Sequence, residues 1–412
     1  MSRFWLLLLI FMCSNTQAQW VIYNSSNSPL PDDNIHTITI DKTGVVWIGT
    51  ENGLAGFDGA NWVVLDSSNS GLPVNQIRSL TTDTANNLWV GTFQAGVAIY
   101  NGTGWQYINT GNATIADNYI RSIAFDTTGG LWLGSSGGLS WLSDEGWINY
   151  NMFNSPLTSN NITHIYVAED DTKWIGTING GMVKKDGNSW AVYNTQNSGM
   201  LDNTVLDIEH DAAGNVWFTT PAHGLGRYNG TNWFYRLQSN SYIPTNSTTC
   251  IAINKATDVK YIGTTDKGLL RWDNTQVFDS FTVVNSPMPN NFVTALQLTS
   301  NGKLWIGTDG GGVALFTDTL LSTGITEPAS SSKLSATLYP NPVEELLQVA
   351  YNQPVLTCQV TDINGQPVPV SNKQQNSNII TIDCSALSSG IYLVSVVSNA
   401  GRVVRRFIKS NY

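Results

Sequence analysis

Hydrophobic and polar positions alternate over short stretches of this chain, and turn residues separate the stretches. In the first full unit the alternation predicts four strands, at residues 35–41, 45–50, 54–58 and 62–66. The breaks between them carry turn-forming pairs such as Asn52-Gly53 and Asp58-Gly59. Four short strands joined by tight turns predict a small antiparallel sheet.

The same unit recurs seven times. Its second strand begins at Trp47 in the first copy, and the later copies follow at spacings of 42 to 44 residues. The leading aromatic residues of this strand are Trp47, Trp89, Trp132, Trp174, Trp217, Tyr261 and Trp305. The fourth strands begin at Trp20, Trp62, Trp105, Trp147, Trp190 and Trp233, and at Val277 or Phe278 in the sixth unit. A period of about 43 residues with four strands per unit is typical of β-propeller blades.

The strand count also predicts how the ring closes. The first three strands of the unit occur seven times, whereas only six fourth strands follow the first copy. The remaining fourth strand is residues 20–23, which precede every other strand. We expect this segment to pair with residues 313–317, because an open ring would leave two unpaired sheet edges.

These units resemble the two-component regulator propeller repeat. Residues 72–102, from Leu72-Pro73 to Asn101-Gly102, follow the pattern of that repeat. The resemblance extends over residues 20–317. It implies an all-β, seven-bladed β-propeller with four-stranded blades, the N-terminal strand closing the last blade. Blade six departs most from the pattern, because Tyr261 replaces the tryptophan. In that family the propeller often serves as the extracytoplasmic sensor of a membrane-bound histidine kinase, but this sequence predicts neither a membrane span nor a kinase region.

A second alternating pattern follows a small polar segment at residues 322–333. Strands predicted near residues 346–350, 357–362, 379–383 and 390–397 indicate a small Ig-like β-sandwich. The segment resembles the C-terminal sorting domain of type IX secretion substrates, and the matching residues are Tyr339, Pro340, Asn341, Pro342, Gly365, Gly390, Tyr392 and Lys409. The resemblance implies the type IX secretion machinery as a partner and export across an outer membrane. The resemblance also implies that the sorting domain is then removed and that the protein is released or attached to the cell surface.

The first residues fit a secretory signal peptide, with Arg3 before an apolar run and small residues near Ala18. The apolar run of about ten residues is shorter than the roughly 20 needed to span a bilayer. The predicted segments are a signal peptide at 1–18, the propeller at 19–320, a linker at 321–334 and the sorting domain at 335–412. We therefore expect a secreted or outer-membrane cell-surface protein without a transmembrane segment.

The charge balance narrows the range of partners. The chain has 20 Lys and Arg against 30 Asp and Glu, a net charge of −10, and only 12% charged residues. An acidic chain disfavours a nucleic-acid partner, because phosphate backbones require Lys and Arg. No CxxC motif or Cys/His cluster is present, so we expect no metal and no other cofactor. Cys358 and Cys384 could pair in an oxidising compartment.

Two sets of propeller loops carry the candidate ligand-binding residues. The loops between second and third strands (b–c loops) and those between blades (d–a loops) gather on one face. A site for an asymmetric ligand must break the repeat, so the candidates are the non-repeating residues His36, Glu51, Arg78, Phe93, Gln94, Tyr119, Arg121, His164, Asn179, His223, Lys267 and Asp309. Arg78 and Arg121 occupy equivalent positions, and their guanidinium groups could face one anionic group. A ring of Asn and Asp, one per blade, is interpreted instead as turn capping.

The function predicted from these features is binding of an extracellular glycan or peptide through the loop face. One alternative is a scaffold for protein–protein interaction, and a less favoured one is a propeller lyase or glycoside hydrolase. Residues 216–228 faintly resemble a streptogramin-lyase repeat, but His210 and His223 lie at opposite ends of the second strand. No catalytic residue is assigned, because neither a Ser-His-Asp arrangement nor an arginine triad with paired carboxylates is found.

Overall fold

The computed structural model describes residues 19–143, 145–275, 277–318, 336–339, 343–351, 355–362, 366–376, 379–398 and 401–410. The chain divides into two compact units, Met1–Thr323 and Gly324–Tyr412. Every regular element in the described ranges is a β-strand. The predicted signal peptide (1–18) and linker (321–334) lie outside the described residues.

The described part of the first unit forms seven four-stranded antiparallel sheets, each called a blade below. The N-terminal strand is β1 (Gln19–Tyr23). Blades 1 to 3 contain β2 (Ile35–Ile40), β3 (Val46–Thr50), β4 (Gly53–Phe57), β5 (Trp62–Leu65); β6 (Ile77–Thr82), β7 (Leu88–Thr92), β8 (Val97–Tyr100), β9 (Trp105–Ile108); β10 (Ile120–Phe125), β11 (Leu131–Ser135), β12 (Leu139–Ser143) and β13 (Gly146–Tyr150). Blades 4 and 5 contain β14 (Ile162–Val167), β15 (Lys173–Thr177), β16 (Met182–Asp186), β17 (Ser189–Tyr193); β18 (Asp207–His210), β19 (Val216–Thr219), β20 (Leu225–Tyr228) and β21 (Trp233–Arg236). Blades 6 and 7 contain β22 (Thr248–Asn254), β23 (Val259–Thr264), β24 (Leu269–Trp272), β25 (Asp279–Phe281); β26 (Val293–Leu298), β27 (Lys303–Thr308) and β28 (Val313–Thr317), with β1 added to blade 7.

The blades pack face to face and follow one another in chain order. The first strand of each blade contacts the first strand of the next, and β26 of blade 7 contacts β2 of blade 1. Leu54 of blade 1 and Ile77 of blade 2 share one apolar cluster. A Cβ atom at Gly49 would lie 2.5 Å from Cγ2 of Ile77, so this close approach requires glycine. The Trp-Ile-Gly-Thr sequence therefore lies at the interface between two blades.

The predicted pairing of the N-terminal strand is confirmed. β1 runs antiparallel to β28, with Gln19 opposite Thr317 and Tyr23 opposite Val313. Trp20 packs against Phe316, with 4.6 Å between the ring centroids. The first described residues therefore complete the last blade.

A hydrogen bond recurs in the turn between the first two strands of four blades. Asp41 accepts backbone N–H groups from Thr43 at 2.8 Å and from Val45 at 3.0 Å. Its other oxygen also accepts the indole N–H of Trp47 at 3.0 Å, and the same bond joins Asp83 to Trp89, Asp126 to Trp132 and Asp211 to Trp217. Burial would raise the pKa of these carboxyls, but the hydrogen bonds outweigh it and hold each pKa below its usual value. These aspartates therefore have a structural role.

Blade 6 replaces this bond with a buried ion-pair group. Tyr261 donates its hydroxyl to Oδ2 of Asp318 at 2.6 Å, and Arg271 donates Nε to the same oxygen at 2.6 Å. Asp318 directly follows β28 of blade 7, so this group joins blade 6 to the end of the propeller unit. The hydroxyl of Tyr261 thus has a buried acceptor, which accounts for the departure of blade 6 from the repeat.

The second unit contains two sheets in its described residues, one with the order β29-β30-β33-β32 and one with the order β31-β34-β35. The strands are β29 (Ala336–Tyr339), β30 (Leu346–Tyr351), β31 (Val355–Asp362), β32 (Ser371–Asn376), β33 (Ile379–Asp383), β34 (Gly390–Ser398) and β35 (Gly401–Lys409). Leu347 and Ile382 of the first sheet share an apolar cluster with Val394 and Phe407 of the second. Cys384 carries a free thiol, so no disulfide joins it to Cys358.

Three of the four motif residues that the structure describes lie at strand ends. Tyr339 ends β29, Gly390 begins β34, and Lys409 ends β35. Tyr392 packs against Phe407 with 5.6 Å between ring centroids and donates its hydroxyl to the carbonyl of Ser388 at 3.0 Å. The remaining motif residues, Pro340, Asn341, Pro342 and Gly365, lie outside the described residues.

Candidate functional site

The two sets of loops lie together on one face, called the loop face below. The N–H of Gly96 in a b–c loop donates to the carbonyl of Asn118 in the next d–a loop at 2.9 Å. The same bond joins Gly181 to Asn203 at 2.7 Å. Each b–c loop of this kind is thereby held against the loop that enters the neighbouring blade.

The ring of Asn and Asp caps turns, as the sequence analysis favoured. Oδ1 of Asn75 accepts the N–H of Ser67 at 2.8 Å, and Oδ1 of Asn160 accepts the N–H of Met152 at 2.9 Å. The equivalent bonds involve Asp33, Asn118, Asn203, Asn246 and Asn291. Because these side chains are occupied in every blade, they are not candidates for ligand binding.

Six of the twelve candidate residues form one connected group on blades 1 to 3, called the blade 1–3 cluster. Its members are His36, Glu51, Arg78, Phe93, Tyr119 and Arg121. Oε2 of Glu51 lies 2.7 Å from Nε2 of His36 and 3.1 Å from Nη2 of Arg78. Nη1 of Arg78 lies 2.8 Å from Nε2 of His36. The carboxylate, the imidazole and the first guanidinium therefore form a compact triangle.

Aromatic rings connect this triangle to the second guanidinium. The Arg78 guanidinium carbon lies 5.2 Å from the ring centroid of Phe93, which meets Tyr119 edge to face at 4.7 Å. The Arg121 guanidinium carbon lies 4.6 Å from the centroid of Tyr119. Two cations thus flank a pair of aromatic rings, an arrangement in which each cation is attracted to a ring face.

The charges in the triangle compensate one another. Burial lowers the pKa of His36, and the charge of Arg78 lowers it further. Burial would raise the pKa of Glu51, but the hydrogen bond from His36 and the charge of Arg78 outweigh it and keep the pKa below its usual value. At neutral pH Glu51 is therefore an anion, His36 is neutral, and the charge of Arg78 is balanced by Glu51.

Arg121 differs from Arg78 in its surroundings. Within the described ranges, no carboxylate lies within 4.0 Å of Arg121. Nε of Arg78 and of Arg121 are both buried and have no hydrogen-bond partner in the part of the chain that the structure describes. Among the described residues, an acid lies within 4.0 Å of the Arg78 guanidinium but not of the Arg121 guanidinium.

A shallow trough adjoins the blade 1–3 cluster. It has a volume of about 400 Å³ and is lined by Gly71, Pro73, Gln94, Ala95, Tyr107, Asn109, Asn112 and Asn118. Gln94 directly follows Phe93, and Asn118 directly precedes Tyr119, so the chain segments of the trough continue into the cluster. The trough lining is uncharged and contains four side-chain amides, in Gln94 and three asparagines.

The other candidate residues lie apart from this group. His164 pairs with Asp207 at 2.8 Å, and His223 pairs with Asp202 at 3.0 Å. Burial would lower the pKa of His164, but the charge of Asp207 and its hydrogen bond outweigh it and raise the pKa.

Three exposed candidates remain on b–c loops. Asn179 has a φ of 64°, a backbone conformation that asparagine tolerates, and Lys267 lies 3.6 Å from Asp266. Asp309 contributes a charge that acts on His36, which places it at the border of the blade 1–3 cluster.

Sequence reasoning missed three features of the loop face. Gln76 donates its side-chain N–H to Oε1 of Glu51 and completes the contacts of that carboxylate. Phe153 and Val284 stand at the tips of two d–a loops, where they are 91% and 90% exposed. The equivalent tip positions carry Ser26 and Ser68 in other loops, so an alignment of the repeats would have revealed the apolar tips.

Comparison with known families identifies both units. The profile described as Two component regulator propeller matches residues 29–52, 71–94, 114–137 and 287–310. The profile described as Secretion system C-terminal sorting domain matches residues 337–410. No curated protein sequence matches the chain.

Solved structures share the fold at low identity. The extracellular domain of the putative hybrid two component system BT3049 from B. thetaiotaomicron is 17% identical with a TM-score of 0.65, over 96% of this chain and 57% of that one. PorZ, described as an essential surface component of the type-IX secretion system of Porphyromonas gingivalis, is 18% identical with a TM-score of 0.60, over 92% and 60%. Virginiamycin B lyase from Staphylococcus aureus is 12% identical with a TM-score of 0.59, over 73% and 100%. At these identities the likeness shows the fold alone, and the chain spans less than two thirds of the first two proteins.

These matches agree with the architecture of both units. Among the residues that the structure describes, no helix has the length and apolar character needed to cross a membrane. The sorting domain indicates a secreted or cell-surface protein and implies contact with the secretion machinery. The chain is thus an all-β protein that carries two-component regulator propeller repeats followed by a type IX C-terminal sorting domain.

Proposed function

We propose that this chain is a secreted or cell-surface propeller of seven blades that binds an extracellular glycan through its loop face. The proposed segments are a signal peptide at 1–18, the propeller at 19–320, a linker at 321–334 and an Ig-like sorting domain at 335–412. The blade number is supported by seven four-stranded sheets, in which the first strand of each sheet contacts the first strand of the next. Two sheets around one apolar cluster support an Ig-like tail.

The observation that carries the binding proposal is the blade 1–3 cluster beside its trough. The repeated Asn and Asp residues of the loop face cap turns. The cluster breaks the repeat, and in the part of the chain that the structure describes Arg121 has no carboxylate within 4.0 Å. The exposed Gln94 side chain lines the trough, and its amide can donate hydrogen bonds to sugar hydroxyls and accept hydrogen bonds from them. A peptide ligand is less favoured, because the trough is shallow and offers no deep apolar pocket for an anchoring side chain.

Removal of the Gln94 side chain should weaken glycan binding. We expect Gln94→Ala to lower affinity about tenfold, because it removes a hydrogen-bonding group from the trough without cutting a described protein contact. Calorimetry with a glycan found by array screening of the full chain would measure the effect. The matched control is Asp266→Ala, which changes the same position of the b–c loop in blade 6 and should leave affinity unchanged. Equal binding by all three proteins would move the site elsewhere, and binding to peptides alone would overturn the glycan class.

A second candidate function, a protein-interaction scaffold, is favoured by the two apolar loop tips. Phe153 and Val284 are held out by rigid turns on the same face. For a scaffold we expect the double variant Phe153→Ser, Val284→Ser to lose a cross-linked protein partner that the wild-type chain retains on intact cells. The serines are the residues of the equivalent loops, so the turns should fold normally. Unchanged cross-linking would contradict the scaffold function.

Deletion of the sorting domain should prevent surface export. A chain lacking residues 335–412 is expected to accumulate in the periplasm, because the proposed recognition element for the secretion machinery is gone. Cell fractionation with protease treatment of intact cells measures the distribution. Conversely, fusion of residues 335–412 to a periplasmic reporter protein should carry the reporter to the surface. Surface display of the truncated chain would refute the sorting role.

A further inference from the structure

The first strands of blades 2 and 3 each carry an arginine at the same position, and the two arginines have different surroundings. Arg78 is the second residue of β6, and Arg121 is the second residue of β10. Both side chains are partly buried, and in both the Nε atom is buried without a partner in the described part of the chain. The two positions therefore allow a direct comparison within one molecule.

Arg78 makes polar contacts with two residues of the preceding blade, Glu51 and His36. Glu51 comes from the preceding b–c loop, where its N–H donates to the carbonyl of Asn34 at 3.2 Å. Its carboxylate lies 3.1 Å from Arg78, and Gln76 and His36 complete the polar group around it. An acid from one blade thus neutralises the arginine of the next blade.

The corresponding positions near Arg121 carry aromatic residues. Phe93 occupies the position of Glu51, because its N–H likewise donates to the carbonyl of Gln76 in the loop that precedes β6, at 3.1 Å. Tyr119 directly precedes Ile120 and so occupies the position that Gln76 has before Ile77. Rings therefore occupy the positions that the acid and the amide have in the preceding blade, and the ring of Tyr119 lies against Arg121.

Partial burial of Arg121 costs hydration free energy that no acid among the described residues offsets. A partly buried cation loses part of its hydration, and a partner anion can compensate for that loss. The chain has an excess of acids, with a net charge of −10, yet within the described ranges none lies within 4.0 Å of Arg121. Arg78 shows how a carboxylate fits an arginine at this position, so the absent partner of Arg121 is best supplied by a ligand.

We propose that the ligand presents a carboxylate to Arg121 and that it is a uronic-acid-containing oligosaccharide. This inference rests on the proposed glycan-binding role of the loop face. A guanidinium matches a carboxylate geometrically, because two parallel N–H groups can bind its two oxygens. Phe93 and Tyr119 are partly exposed, and the apolar surface of an aromatic ring can pack against the C–H face of a sugar. A uronic acid carries both features on one ring, and the Gln94 amide in the trough can bind a hydroxyl of a neighbouring sugar.

The first test varies the ligand and leaves the protein intact. Oligogalacturonate, oligomannuronate and hyaluronan oligosaccharides are titrated into the full chain, each beside its methyl-esterified form. We expect at least one uronate to bind and its ester to bind about 10- to 100-fold more weakly, because the ester loses a charged hydrogen-bonding partner. Equal binding of acid and ester overturns the inference.

The second test varies Arg121. Arg121→Gln should lower uronate affinity about 10- to 100-fold and leave binding of the ester unchanged, whereas Arg121→Lys should retain part of the affinity. Lys255→Gln removes one positive charge from the exposed turn between β22 and β23 and should have no effect. Phe93→Glu places a carboxylate at the position that Glu51 has in the preceding blade. This carboxylate should pair with Arg121 and thereby abolish uronate binding.

The outcomes separate this inference from the proposed function. Binding of neutral glycans that depends on Gln94 but not on Arg121 would overturn the carboxylate assignment and leave glycan binding intact. Absence of binding to any charged or neutral glycan would overturn both. Uronate binding that is unchanged in Arg121→Gln, with an unchanged unfolding temperature, would also reject Arg121 as the carboxylate-binding residue.

Discussion

Replacement of Asp318 by alanine is expected to destabilise the propeller unit by about 3–5 kcal/mol, the usual loss when one partner of a buried ion pair is removed. The side chains of Asp318 and Arg271 are only 1% and 6% exposed. One oxygen of Asp318 accepts from both Arg271 and Tyr261. The variant would remove this shared acceptor while the arginine and the hydroxyl stay buried.

Chemical denaturation followed by tryptophan fluorescence measures this effect. Asp318→Asn keeps an acceptor oxygen but loses the charge, so it should fall between the wild type and the alanine variant. Asp266→Ala serves as the control, because Asp266 and Lys267 form an exposed pair, and such pairs contribute about 0–1 kcal/mol. If Asp318→Ala and Asp266→Ala were equally stable, the buried group would not be holding blade 6 to the end of the propeller.

Deletion of residues 19–23 is expected to have a still larger effect and to prevent cooperative folding of the propeller. These residues form β1, which pairs with β28 along its whole length. Their removal exposes an unpaired edge in blade 7 and uncovers Phe316, which Trp20 covers. An exposed edge of this kind is also a template for aggregation.

The control for this deletion is the removal of a much longer segment. A chain that ends at residue 323 lacks the whole second compact unit and should keep the unfolding temperature of the propeller. Differential scanning calorimetry and size-exclusion chromatography of the two truncated proteins make the comparison. Equal stability of the chain without residues 19–23 and of the intact chain would show that β1 is dispensable for the ring.

Several features of the fold could be predicted because they depend on local patterns. The period of about 43 residues and the alternation within each unit lie within short segments, and strand pairing in a hairpin meander follows from them. Even the pairing of β1 with β28, between the two ends of the propeller unit, followed from a count of strands. The role of Tyr261 did not, because its acceptor Asp318 lies 57 residues away, outside the repeated unit.

The candidate site could be predicted only in part. Breaks in the repeat identified Glu51, Phe93 and Arg121 as candidates, and the equivalence of Arg78 and Arg121 was visible in the aligned units. Their different charge states were not visible, because the b–c loop of one blade supplies the contacts of the arginine in the next. A residue that neutralises Arg78 is therefore 27 positions away and in another sheet.

The amino-acid sequence alone was sufficient to predict a repeating β-structure, its closure by the N-terminal strand and the presence of a sorting tail. These follow from periodicity and motifs, which operate over short distances along the chain. The folded chain was needed to show which loop residues become neighbours, because that depends on packing between blades. In particular, it showed that Arg78 is neutralised by Glu51 while Arg121 faces Tyr119 and lacks an acid within 4.0 Å among the described residues. The physical reason is that charge compensation acts across a blade interface, whereas a repeat pattern describes each blade by itself.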